Sequence, residues 1–458
     1  MDHWLFNPAF AGLGFILALI AVAHMLTQRR SPQSAIAWLL VMILVPWVGV
    51  PLYIMFGGRK MAALARSKSE IRMTSQAPLS GRSLAIDHLL RSYNLPPATS
   101  GNRFTLCQDG VASYEALIEV IEGAQHSIGY GTYILADDEV GRDVIRRLAE
   151  KAAAGVRVRL LLDGVGTLYT GGRLFTPLKA AGGEVVSFNP VLRRPLRGLT
   201  NLRNHRKIVV ADGTRVWSGG CNTAINYIGP SPRTGRWRDL SFLLEGPTTQ
   251  TYAEIFAYDW AFATKTQVEP NAAVEPLADG DQVAQVVPSG PDVPGDPLYA
   301  AMVSACYMAR ERIWLATPYF VPPEPATQAL RLAARRGVEV KVIVPDKSNH
   351  LMPDLARGPD LRDVQGDGGQ VLRYMPGMLH AKAMVVDGAN AVVGSANFDD
   401  RSLFLNYEVM LQLYGGSGVK DLERWFEATM ADCEADLPMP GRARDLLEGL
   451  AHTLSPVL

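Results

Sequence analysis

Residues 205–222 read HRKIVVADGTRVWSGGCN, and residues 380–397 read HAKAMVVDGANAVVGSAN. Laid on one another without a gap, the two stretches share seven of 18 positions. Five of the seven make the pattern H-x-K-x4-D-x6-G-x2-N: His205, Lys207, Asp212, Gly219 and Asn222, then His380, Lys382, Asp387, Gly394 and Asn397. One occurrence by chance has odds of roughly one in ten thousand at ordinary residue frequencies. Two occurrences are not chance. On a strand, H-x-K puts an imidazole and an ammonium on one face, about 7 Å apart along the backbone and aimed at one anionic group. VVADG and VVDG close each strand in an Asp-Gly turn, so the chain returns antiparallel. The returning strand brings a small-residue end, SGGCN or VGSAN, back towards the histidine. Gly220 and Ser395 there leave room for backbone N–H groups to approach a phosphate, and Asn222 and Asn397 add amide donors.

Outside the motifs the chain repeats itself again. LIEVIEGAQHSIGYGTYIL followed by GRDVIRRLAEKAAAGVRVRLLLDGVG has its counterpart in AMVSACYMARERIWLATPYFV followed by TQALRLAARRGVEVKVIVPD. In both copies an amphipathic helix leads to an apolar strand, with Thr132 and Tyr133 in one and Thr317 and Tyr319 in the other. A second helix then ends at Gly155 or Gly337 before a strand of alternating charge. Helices closed by Gly ahead of β-branched strands signal an α/β chain of βαβ units. A duplication at this separation predicts two homologous domains, residues 101–265 and 286–458, joined by a Pro-, Ala- and acid-rich linker at 266–285.

The 458 residues carry 45 Lys plus Arg against 45 Asp plus Glu, so no overall charge points to nucleic acid. Four scattered cysteines, Cys107, Cys221, Cys306 and Cys433, have no metal-ligand spacing and read as reduced thiols. Of the eight histidines only His205 and His380 stand beside a lysine in duplicated polar strands. His3, His24, His88, His126, His350 and His452 receive no role.

The apolar excess is concentrated at the start. Between Trp4 and Gln28 the only ionisable side chain is His24, and Ser31 to Gly58 has none. Each run exceeds the roughly 20 apolar residues that cross a hydrocarbon core, so residues 1–60 predict two transmembrane helices, the second kinked by Pro46 and Pro51. Arg59, Lys60, Arg66 and Lys68 outweigh Arg29 and Arg30, which places the rest of the chain on the cytoplasmic side. Residues 61–100 read as a juxtamembrane connector.

With these residues together, the chain resembles the phospholipase D superfamily with two HKD motifs, and within it the bacterial cardiolipin synthases. The likeness rests on the N-terminal hairpin, RNHRKIVVADG, WRDLSFLLEGP, the SGP at 289–291, TPYFVP, YMPGMLHAKAMVVDG and GSANFDDRSLFLNYEV. It implies two phospholipase D-like α/β domains about a pseudo-two-fold axis, with the motifs meeting at their interface. It implies a multi-pass protein of the bacterial inner membrane whose phospholipid substrate is phosphatidylglycerol, with no nucleic-acid partner. The implied reaction passes a phosphatidyl group through a phosphatidyl–histidine, with His205 as nucleophile and His380 as acid and base. Lys207, Lys382, Asn222 and Asn397 would neutralise the phosphoryl oxygens, so no metal or cofactor is called for.

The family pattern also groups Asp212 and Asp387 with the catalytic set. Strand parity sets both opposite the histidine or in the turn, where holding the turn is an equal expectation. Asp239 and Glu408 follow the motifs at comparable distances, each placed to hold an imidazole's far nitrogen. Two stretches depart from the family. GYGTYIL lacks an acidic residue usual in that strand. DLARGPDLRDVQGDGG replaces an aromatic-rich helix and, poor in apolar residues, reads as a flexible loop near the site. Both bear on the preferred head group or acceptor; hydrolytic phospholipase D and nuclease are the alternative activities, and donors such as phosphatidylethanolamine remain open.

Overall fold

A computed structural model describes residues 8–27, 32–56, 84–190, 202–268, 273–435 and 437–454. The first half contributes strands β1 Thr99–Cys107, β2 Ser127–Thr132, β3 Arg157–Asp163, β4 Glu184–Phe188, β5 Ile208–Ala211, β6 Arg215–Gly219 and β7 Ser241–Glu245. The second half adds β8 Gln282–Ser289, β9 Arg312–Ala316, β10 Phe320–Val321, β11 Glu339–Pro345 and β12 Gln370–Tyr374. It continues with β13 Ala383–Val386, β14 Asn390–Gly394, β15 Phe398–Asp399, β16 Glu408–Tyr414 and β17 Cys433–Ala435.

Fifteen of these strands form one sheet, in the order β17-β12-β11-β9-β13-β14-β16-β8-β1-β7-β6-β5-β2-β3-β4. Read outward from the β8–β1 pair, each half has the same succession. A strand of a parallel trio (β2-β3-β4 or β9-β11-β12) pairs antiparallel with the first strand of the motif hairpin. The halves join where β1 and β8 pair antiparallel, Thr99 opposite Ala284 and Asn102 opposite Gln282. The sequence repeat is thus a mixed α/β fold with two repeated units sharing one sheet.

Local signals account for the elements. The helices Glu139–Ala153 and Glu324–Arg335 stop at Gly155 and Gly337, whose φ angles of +92° and +86° lie in the left-handed region. The amides of Val156 and Val338 reach back to the carbonyls of Lys151 and Ala333, closing both helices alike. The Asp-Gly turns also form: Asp212 and Gly213, and Asp387 and Gly388, all have positive φ, and the β5–β6 and β13–β14 hairpins follow.

The ends depart from expectation. The helix Leu84–Ser92 lies inside the expected 61–100 connector and β1 begins in it at Thr99, and Ile86 and Leu90 belong to the main core. Residues 57–83 lie outside the described residues. The expected linker also ends early, since β8 starts at the buried Gln282.

The N-terminal apolar runs form three helices, not two: α1 (Pro8–Leu26), α2 (Pro32–Leu44) and α3 (Pro46–Phe56). Proline restricts its predecessor, so the second run breaks at Val45, whereas Pro51 is carried inside α3. Trp38, Met42 and Tyr53 pack these helices together. Among the described residues no helix is long and apolar enough to cross a membrane. The stretch expected as a flexible loop is instead two helices, α4 (Leu351–Ala356) and α5 (Gly358–Gly366), with Ala356, Leu361 and Val364 turned into the core. Among the described residues the last element is α6 (Arg442–Leu454).

Candidate active site

His205 and Lys207 lie just ahead of β5, and His380 and Lys382 just ahead of β13, in extended lead-ins and not within the strands as expected. The reason is a pairing across the two halves. The amide of Tyr407 donates to the carbonyl of Arg203 and the amide of His205 donates to that of Tyr407, both at 2.9 Å. The other copy does the same: Arg238 N–H to Met378 O at 2.8 Å, and His380 N–H to Arg238 O at 2.7 Å. Each histidine is therefore threaded past one residue of the opposite half, Tyr407 or Arg238, in an isolated parallel bridge.

The residues following Tyr407 and Arg238 are Glu408 and Asp239, and the pairing delivers them crosswise. Nδ1 of His205 lies 2.9 and 3.0 Å from the two Glu408 carboxylate oxygens, and Nδ1 of His380 lies 2.6 Å from Oδ2 of Asp239. Each motif is completed by a carboxylate from the other. A carboxylate on Nδ1 holds the proton there and leaves the Nε2 lone pair for chemistry.

Parity explains the residue between. With His205 on the cavity, Arg206 points the other way, into a buried pocket. There Nη1 lies 2.8 Å from Asp259 and Nη2 3.1 Å from Asp292, while Nε donates to the carbonyl of Glu408 at 3.1 Å. The guanidinium ties the first motif, the helix Thr249–Thr264 and the segment after β8 into one knot. Sequence reading passed over Arg206; the signal was a buried-parity arginine in RNHRK with the aspartate of SGPD.

Electrostatics follow from burial. Burial pushes the His205 imidazolium below its ordinary value against the pull of Glu408. Burial, then Lys382, drives His380 down to about 3. The same desolvation lowers Lys207 to about 7 and Lys382 to about 8. Burial tends to raise Glu408, yet His205 and Lys207 outweigh it and hold the carboxyl low. The site thus combines imidazoles that favour the neutral form and weakly held ammonium protons with an ionised Glu408.

Both histidines open on one cavity of about 550 Å³, lined also by Asn222, Asn397, Tyr133, Tyr227, Tyr319 and Arg401. Tyr133 meets His205 edge-on at 4.9 Å between centroids, and Tyr227 meets His380 at 5.0 Å. His350, given no role from sequence, is in the wall as well. Asn222 accepts from the Ile134 amide at 3.1 Å.

Two expectations need correction. Asp212 and Asp387, grouped with the catalytic set, touch neither histidine. Asp212 accepts the amides of Gln125, His126 and Ser127 at 2.7–2.8 Å, and Asp387 those of Arg310, Glu311 and Arg312 at 2.8–3.1 Å. They pin the hairpin turn to the start of the neighbouring strand. Nor do the small residues offer free amides to a phosphate. Gly220 N–H donates to Leu240 O at 2.8 Å and Ser395 N–H to Val409 O at 3.0 Å. Gly220 makes room instead: a Cβ there would stand 2.3 Å from Oδ1 of Asp239. Ser395, its counterpart, donates its hydroxyl to Glu408 at 2.5 Å. Both positions serve the carboxylates that orient the imidazoles.

This geometry has known relatives. The family described as "Cardiolipin synthase, PLD-like domain" matches residues 117–260 and 302–430, and "Phospholipase D-nuclease N-terminal" matches 16–58. Cardiolipin synthase 1 of Bacillus anthracis is 32% identical over 446 residues, covering 91% of this chain and 87% of the relative. Cardiolipin synthase A of Pseudomonas aeruginosa is 32% identical over 465 residues, covering 97% and 94%. Among solved structures, phosphatidylserine synthase of Haemophilus influenzae superposes with a TM-score of 0.61 at 15% identity, covering 82% of this chain and all of that one, a likeness of fold alone.

Proposed function

Since the chain belongs to the cardiolipin synthase family of phospholipase D-like proteins, we propose that it transfers a phosphatidyl group from one phosphatidylglycerol to another, releasing glycerol. The observation that carries this reading is the shared cavity, where two imidazoles, each held on Nδ1 by the other half's carboxylate, face one space.

Nε2 of His205 attacks the donor phosphorus and forms an N–P bond as the P–O bond to glycerol breaks. His380 supplies the proton that glycerol needs to leave. Burial favours the neutral form of both imidazoles, and the negative charge of the donor phosphodiester lets one of them hold a proton. In the second half of the reaction His380 takes the proton of the acceptor's primary hydroxyl. The resulting oxygen displaces His205 from phosphorus, and the free enzyme returns. Lys207 and Lys382 offset the charge building on the phosphoryl oxygens, with the amides of Asn222 and Asn397 beside them.

The apolar N-terminal helices anchor the chain in the bacterial cell membrane as a multi-pass segment, with the catalytic halves on the cytoplasmic side. Supporting this are the outward-facing apolar Phe15, Ile16, Leu19 and Ile20 of α1 and Ile36, Leu40 and Ile43 of α2, and the flanking cations. Purified chain in phosphatidylglycerol vesicles is expected to yield cardiolipin and glycerol in equal amounts, abolished in His205→Ala and in His380→Ala. Phosphatidic acid in place of cardiolipin would make the chain a hydrolase; undiminished product from either variant would reject the mechanism.

A further inference from the structure

Helix α6 is built inside out. Its inward face is polar: Glu448, 2% exposed, receives Nη1 of Arg362 at 2.6 Å and Nε of Arg444 at 2.7 Å. One turn on, His452 faces the carbonyl of Ala356 on α4 at 3.3 Å. The outward face carries Leu446, Leu447 and Leu450, 78%, 52% and 58% exposed. A helix on a water-facing surface turns its leucines the other way.

Two neighbours extend this face. α6 packs along α4, whose Leu351 and Met352 are exposed, 73% for Leu351, and also line the catalytic cavity. α6 also approaches α2, one of the apolar N-terminal helices. Apolar surface therefore continues from the proposed anchor, across α6, to the rim of the cavity. The exposed Arg442 and Arg444 open the helix, placing cations beside the leucines. Leucines beside arginines on an outward face fit the boundary between acyl chains and anionic head groups.

We propose that α6 lies in the surface of an anionic phospholipid bilayer and seats the cavity rim at Leu351 and Met352 against it. A two-chain substrate then presents its phosphate to the histidines while its acyl chains stay among the leucines. The inference rests on the membrane reading of the N-terminal helices and extends it to the other end of the chain.

The test uses the full chain in phosphatidylglycerol vesicles, with Leu446→Cys in a Cys433→Ser background; the other three cysteines are buried. An environment-sensitive fluorophore at position 446 is expected to shift to the blue and to be quenched by brominated acyl chains, not by aqueous iodide. In a second arm, Leu446→Glu/Leu450→Glu is expected to lower turnover of vesicle phosphatidylglycerol at least tenfold relative to turnover of monomeric short-chain phosphatidylglycerol. A chain that floats with vesicles yet shows a water-like, iodide-quenched label overturns the docking of α6 and leaves the anchor standing. A chain that does not float overturns both. A blue shift that follows protein concentration and ignores brominated lipid assigns the face to a second copy of the chain and overturns the proposal. The label reads position whatever the reaction, so failure to make cardiolipin is a separate result.

Discussion

Lys207 and Lys382 are buried behind the histidines at 0% and 1% exposure, Lys207 Nζ donating to the His205 carbonyl at 2.7 Å, and burial lowers them to about 7 and about 8. Their charge, which the reaction needs on the phosphoryl oxygens, is full below those values and lost as pH rises through them. Burial lowers the imidazoles as well, His380 to about 3, so their titration lies on the acid side of the lysines'. kcat/KM for vesicle phosphatidylglycerol is therefore expected to fall from about pH 7, by about tenfold per unit, and by about a hundredfold per unit once both lysines titrate above about pH 8. A profile flat to pH 10 would remove the lysines from the chemistry. Histidines and lysines were legible in the sequence because a duplicated pattern names them. Arg206 was not, because a buried arginine looks like an exposed one until Asp259 and Asp292 are seen around it. His350 was missed for the same kind of reason: its place in the cavity comes from α4, which carries no motif.

At the scale of elements, the hairpin following each histidine is held by its aspartate. Asp212 and Asp387 combine positive φ with a carboxylate that takes three backbone amides of the adjacent strand's start. Asp212→Ala and Asp387→Ala each strand those donors and are expected to lower stability by about 1–3 kcal/mol. Thermal denaturation in detergent reads this as a lower Tm, while turnover per folded molecule stays near wild type. Loss of turnover at unchanged Tm would return the aspartates to the chemistry. The Asp-Gly turn and the terminal glycines of the helices were readable because each demands a backbone few residues adopt. The α4–α5 stretch was not. Its few apolar residues, Ala356, Leu361 and Val364, suffice because the salt-bridged Arg331 and Arg362 cover the rest.

At the scale of the molecule, two halves share one sheet through β1 and β8, and each lends the other a carboxylate. Duplication was visible in the sequence, and so were Asp239 and Glu408 as partners for the imidazoles. Which served which was not, because the contacts join residues 141 and 203 positions apart and depend on the strand crossing between halves. The account stands on His205 as the attacking group in a site neither half completes alone. Phosphatidyl-p-nitrophenol tests this most directly, because its leaving group departs without a proton and so dispenses with the acid. Mass spectrometry of the quenched full chain should find His380→Ala carrying a phosphatidyl group on His205, and His205→Ala carrying none. A phosphatidyl group on His380 in His205→Ala, or on no histidine in either variant, would contradict the account.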